Sequence, residues 1–191
     1  MSTGRSINGN FLTGSFLVST PKMPDPRFAA HVIYICAHSE EGAMGVAINQ
    51  PNAAISFGEI LNGAQLPIPP GNLPQVYIGG PVELESAFIL YRNSYKTESR
   101  LDISNTVSLT RETKVLQDIA MGCGPEEYLF ILGYSGWGPG QLERELVEQG
   151  WLNVPGNDEI IFHLPDDCKW KAAAMQYGID IETFGDNIGF A

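Results

Sequence analysis

Basic residues are in short supply in this 191-residue chain: 11 Lys and Arg stand against 22 Asp and Glu, a formal net charge of −11. Nucleic-acid binders draw affinity from basic surfaces that release condensed counterions, so direct DNA or RNA contact is not expected. Cysteine is scarce as well. Cys36, Cys123 and Cys168 are odd in number, widely spaced and without a C-x-x-C pair. That excludes a disulfide framework and suits buried free thiols in a reducing compartment. The three histidines, His31, His38 and His163, are scattered with no metal-ligand spacing, so neither a metal nor a cofactor is expected. No apolar run approaches the roughly 20 residues of a membrane span. Asn8, Asn10, Thr13 and Ser15 interrupt what would have to be a signal-peptide core, and the expected location is the cytoplasm.

What is present suits an ordinary globule, with 43% hydrophobic and 17% charged residues and a mean hydropathy of −0.05. Residues 1–14, rich in Ser, Asn, Gly and Thr, read as a flexible tail, and 15–191 read as one domain without repeats. Strands are expected at 15–19 and 31–38, the second apolar enough to be buried on both faces, with 44–49 returning as its hairpin partner. Ser56 and Glu59 have the spacing of a capping box and predict a helix over 57–62. The proline-rich stretch to Pro74 reads as a loop. Further strands are expected at 75–78, 87–91, 103–109, 128–132 and 160–163. Helices are expected at 111–121, capped by Thr110; from Pro139 to Gly150; and from Asp166 or Asp167 to Gln176, burying Trp170 and Ala174.

Three features invite a chemical reading. Gly133–Gly140 lies between a strand and a helix, where free backbone N–H groups can cradle an anion, with Trp137 and Gln141 able to stack and hydrogen-bond and Gly136 just before Trp137. It lacks the Lys-Ser or Lys-Thr of a phosphate loop, and the architectural reading, a turn whose Trp137 packs on Leu142 and Leu146, is preferred. There Gly136 or Gly138 is expected to take a backbone conformation closed to other residues. Ser135, with Asp158 and His163 later in the chain, has the order of a hydrolase triad, but Trp137 replaces the second glycine of G-x-S-x-G, so no catalytic residue is assigned. Five basic residues, Arg92, Lys96, Arg100, Arg111 and Lys114, gather against Glu98, Asp102 and Glu112 and read as a solvated face.

Four segments carry a resemblance: Leu17–Phe28 (LVSTPKMPDPRF), Gly42–Pro51 (GAMGVAINQP), Gly79–Val82 (GGPV) and Leu132–Glu143 (LGYSGWGPGQLE). In this order they resemble the YqgE/AlgH family of bacterial proteins, from about Gly14 to Gly178. The resemblance implies an α+β fold with a bifurcated mixed sheet, part of it a small closed barrel, surrounded by helices. Some members are described as transcriptional regulators linked to alginate control, and no catalytic residues come with the family. The expected function is a non-enzymatic regulatory or interaction protein that works through another protein or a small molecule, without direct nucleic-acid or membrane contact. The alternative is a small-molecule or anion binder, or an enzyme, using the glycine-rich loops. Its candidate ligand residues are Asp25, Asn49, Gly79, Gly80, Ser135, Gly136, Trp137 and Gln141, and their gathering around one concavity would favour it.

Overall fold

The structure is a computed structural model that describes residues 11–148 and 150–184; the first ten residues of the expected tail lie outside them. Within the described part of that tail, Leu12 and Gly14 are tied down, donating to His38 Nδ1 at 3.0 Å and to Ile35 O at 2.8 Å. The strands are β1 (Ser15–Ser19), β2 (Val32–Ser39), β3 (Gly42–Ala47), β4 (Val76–Ile78), β5 (Val82–Arg92), β6 (Leu101–Asp102), β7 (Val107–Thr110), β8 (Tyr128–Trp137) and β9 (Trp151–Pro155). The helices are α1 (Phe57–Gly63), α2 (Thr113–Ala120), α3 (Gln141–Val147), α4 (Asp158–Phe162) and α5 (Asp166–Met175), with one turn of 3₁₀ helix at Pro26–Phe28.

All nine strands belong to one sheet of order β6-β7-β5-β8-β3-β2-β1-β9, with β4 added beside β8. The sheet forks at β8. One edge of β8 pairs with β5; the other pairs with β4, parallel, over Phe130–Leu132, then with β3, antiparallel, over Ser135–Trp137. The fold is therefore α+β on a mixed, bifurcated sheet. Among the described residues no pairing joins β6 to β9, and the small closed barrel is not formed. β6 has only two residues, and β9 ends on Pro155, which has no N–H for a further strand.

Alternation along the strands divides the core into three clusters. Phe16, Val18, Tyr34, Phe88, Leu90, Leu129 and Ile131 face one side, where Ile160 and Ile161 of α4 and Ala173 and Ala174 of α5 join them. The other side is split: α1 and α2 cover Ile89, Tyr91 and Phe130, and α3 with Trp137 and Trp151 covers Leu17, Ile33 and Ile35. This is why β2 is apolar from Val32 to Cys36: helices cover both faces of that stretch. Helix α5 is also tethered by buried Lys169, whose Nζ donates to Ile48 O at 2.8 Å and pairs with Asp166 at 2.8 Å.

Several sequence expectations need correction. The run 160–163 is not a strand: Asn157 caps α4, its side chain accepting from Glu159 N at 2.9 Å, and acidic residues occupy the first turn. A short apolar run does not by itself separate strand from helix, and the strand here is β9. The stretch 103–109 is broken by a turn in which Ser104 Oγ accepts from Thr106 N and Val107 N, at 3.2 and 3.0 Å. Thr110 ends β7 rather than capping α2, whose N-cap is Glu112. Helix α3 begins at Gln141 and ends at Val147, which is 83% exposed. Trp170 is half-buried, its indole N–H donating to Ser19 O at 2.8 Å. Of the thiols only Cys36 is buried, and burial pushes it up to about 12; Cys123 and Cys168 are exposed, and all three are free.

The fork depends on glycines without room for a side chain. A Cβ on Gly80 would lie 2.3 Å from Tyr134 O, and one on Gly79 2.4 Å from Gly133 O, both backbone atoms that cannot swing aside. Gly80→Ala should therefore lower stability by about 3 kcal/mol. Gly138→Ala, where the nearest atom is a side-chain oxygen at 3.9 Å, should cost no more than about 1 kcal/mol. Urea denaturation of the two variants checks the contrast.

Candidate functional site

The glycine-rich segment is not a loop. β8 runs through it to Trp137, and the residues that take positive φ are Gly133 (69°) and Gly140 (67°), not Gly136 or Gly138. Gly140 is the N-cap of α3, and Gly138 N already donates to Gln141 Oε1 at 3.0 Å. The anion cradle weighed as the alternative there has little free backbone among the described residues: extended β8 occupies most of the segment, and a side chain takes a donor at its end.

Trp137 is part of a packed clamp. Its indole N–H donates to Glu145 Oε2 at 2.9 Å; that oxygen also accepts from Trp151 Nε1 at 3.0 Å, and Glu145 Oε1 accepts from Gln141 Nε2 at 2.9 Å. One carboxylate on α3 thus fixes both tryptophans, which meet edge to face at 6.4 Å over Leu142 and Leu146. Glu145 was missed in the sequence, although its position four residues after Gln141 is a legible helical pairing.

The other candidates also act within the fold. Ser135 is buried and its Oγ donates to Gly79 O at 3.3 Å, far from a nucleophile's exposed setting. Asn49 accepts from Val32 N at 2.9 Å and donates to Ala30 O at 2.8 Å, pinning the end of β3 to the start of β2. Asp25 caps the 3₁₀ turn and takes Arg27 in a fork, and the hydrogen bonds from that guanidinium hold its carboxyl below the usual range. Asp25 and Asn49 stand beside Arg27 and Gln50, which with Phe28, His31, Gly80 and Pro81 line a cavity of about 360 Å³. Gly136 and Trp137 line a different one, so the candidates do not gather around a single concavity.

That other concavity is a groove of about 790 Å³. It opens where the main core's face of the sheet runs out beyond the helices, and no residue of α1–α5 lines it. Its floor is Met44, Phe88, Leu109 and Tyr134, with bare Gly136 among them, and Phe88 meets Tyr134 edge to face at 5.9 Å. Its rim carries Arg100, Arg111, Glu41 and Glu83, while His38, which also borders it, has a buried side chain turned to Glu143 of α3. Arg111 is placed by a bulge in β5: between the Val82–Tyr134 and Ala87–Leu132 pairs, four residues of β5 face Gly133 alone, with Glu83 at φ 47°. The bulge offers Ser86 Oγ at 2.9 Å and Glu83 at 3.5 Å to the guanidinium, which lies 5.0 Å from the Phe88 ring centroid. His38 holds its place by accepting from Leu12 N at Nδ1, so Nε2 carries the proton and donates to Glu143 Oε1 at 2.8 Å.

The other basic residues between positions 92 and 114 have local partners. Arg92 pairs with Glu127 and Asp158, Arg100 with Asp102, and Lys114 with Asp118, while Lys96 donates to Asn93 O. His163, the third member of the possible triad, bonds Glu159 and Glu127 through its two ring nitrogens and not Ser135, and Asp158 is engaged by Arg92. Among the described residues no group of three or more His, Cys, Asp or Glu could hold a metal ion, and no helix is long and apolar enough to cross a membrane.

A forked mixed sheet with helices on both faces and one open amphipathic groove defines the architecture. The chain belongs to the AlgH-like family, whose model matches residues 16–182. A UPF0301 protein of Desulfotalea psychrophila is 48% identical over 182 residues, covering 95% of this chain and 96% of that protein. One of Paracoccus denitrificans is 43% identical, covering 94% and 97%. The solution structure of the AlgH protein from Pseudomonas aeruginosa superposes with a TM-score of 0.76 at 34% identity, each chain covered in full. A crystal structure of a Corynebacterium diphtheriae protein, at a TM-score of 0.72 and 20% identity over 91% of each chain, shares the fold.

Two measurements test the electrostatic and packing roles. Trp137→Ala should lose about 3–5 kcal/mol of stability, whereas Trp137→Phe, which mainly loses the bond to Glu145, should lose about 1–3 kcal/mol; denaturant midpoints check this order. The hydrogen bonds that His163 donates, to Glu159 first and then to Glu127, raise its pKa. Its contribution is therefore complete below the unfolded value of about 6.5 and disappears as pH climbs through the raised folded value. The stability difference between the wild type and His163→Gln, measured from pH 5 to 9, should shrink toward high pH.

Proposed function

We propose that this is a non-enzymatic binding protein, a single domain acting in the cytoplasm as a regulator through another protein or a small ligand held in the groove. The observation that supports this reading is the groove itself: about 790 Å³ of aromatic and aliphatic floor with charged groups confined to its rim. Size and lining are those of a recognition site. The histidine that borders it, His38, has a buried side chain bonded on both nitrogens, to a backbone donor and to a carboxylate, which leaves it no nitrogen to activate a nucleophile. The regulatory role rests on the likeness to a family with members described as transcriptional regulators. The charge of −11, with the basic residues near 92–114 engaged by acidic or carbonyl partners, favours action without DNA contact.

A thermal-shift screen of metabolites, with mass spectrometry of every compound that stabilises the protein, tests the reading. A ligand at 100 times its Kd adds about 2.7 kcal/mol, and it should be recovered unchanged. Chemical conversion of a stabilising compound would overturn the non-enzymatic reading. In fluorescence anisotropy at physiological salt, a labelled duplex of arbitrary sequence should show no submicromolar binding.

A further inference from the structure

We infer that the groove takes a small organic acid, an apolar or aromatic body bearing a single carboxylate, with the body on Phe88, Tyr134 and Met44 and the carboxylate on Arg111 and Arg100. This deepens the binding reading above and rests on it. The guanidinium of Arg111 is positioned by its bond to Ser86 and its stacking near Phe88, yet only Nη2 is engaged. Arg100 is held by Nε to Asp102 at 2.7 Å and Nη1 to Thr97 O at 2.8 Å. Among the described residues, Nε and Nη1 of Arg111 and Nη2 of Arg100 bond no protein acceptor. Planar N–H donors beside an aromatic floor match a carboxylate attached to an apolar body.

Charge restricts the class further. Glu41 and Glu83 share the rim, and the molecule carries −11 overall, which opposes polyphosphates and other multiply charged anions. A cation would meet two guanidinium groups on the same rim. The volume, about 790 Å³, suits a molecule of drug-like size.

Gly136 supplies a clean block. It lies on the floor without positive φ, and a Cβ there meets only the Tyr134 ring, at 3.3 Å, so a side chain can grow into the groove. Indole-3-butyrate and decanoate serve as probes, each beside its primary amide, with binding measured by calorimetry and located by backbone amide shifts. Each acid should bind at least about tenfold more tightly than its amide and shift amides of β3, β5 and β8; tenfold corresponds to about 1.4 kcal/mol. Arg111→Met should bring the acid down to the level of the amide, and Gly136→Leu should abolish both. Should Gly136→Leu fail to fold, Arg111→Met and the shift map carry the test.

Equal binding of acid and amide, or shifts outside the groove, would overturn the organic-acid inference. If neither acid binds but Gly136→Leu abolishes stabilisation by a compound from the metabolite screen, the groove is a recognition site for another ligand class. If that variant folds and still responds to every stabilising compound, the groove itself is not the recognition site, and both readings fall.

Discussion

The close backbone approach at the fork of the sheet governs the rest of this structure. Gly79 N donates to Leu132 O at 2.8 Å and Gly79 O accepts from Ala47 N at 2.9 Å, so one residue joins the strands that part company at β8. Ser135 adds its hydroxyl to the same carbonyl. Glycines on both sides of the contact are a steric requirement, because a Cβ at 79 or 80 would sit inside the opposing backbone. The fork lets one sheet pack α1 and α2 behind one half and α3 behind the other. It also leaves the far end of the main core's face uncovered, and that uncovered end is the groove.

Electrostatics in this acidic chain are mostly local. Arg92, Arg100, Arg111 and Lys114 all have carboxylate partners, and the exposed pair of Arg111 with Glu83 contributes little to stability, on the order of 0–1 kcal/mol. Their effect is on position: Arg92 bridges Glu127, just before β8, to Asp158 of α4, and Arg111 is held over Phe88. The carboxylate of Glu145 has a similar part on the opposite face, where it fixes two indoles by their only donors and so orients α3 on the sheet.

Much of the fold was legible. Strands β1, β2 and β4 and helix α1 follow from apolar runs, prolines and the Ser56–Glu59 spacing, all of which act over a few residues. The errors fall where local signals conflict. Ile160–Ile161 has the look of a strand, but Asn157 and two acidic residues make it a capped helix; Gly133–Gly140 has the composition of a loop, but its edges pair with β5 and β3. Of the candidate ligand residues, Asn49, Ser135 and Gln141 are polar groups whose partners lie inside the fold, so their polarity alone said nothing about ligands.

The sequence by itself determined the acidic balance, the α+β character and the family, because composition, short-range spacing and motif order are properties of the chain. Only the tertiary structure decided which of those residues face open space. Arg111 and Phe88 are separated by other elements, and a four-residue bulge in β5 against Gly133 brings them together. Such pairing depends on register and sheet curvature, which arise from contacts between distant segments and leave no periodic trace in the chain.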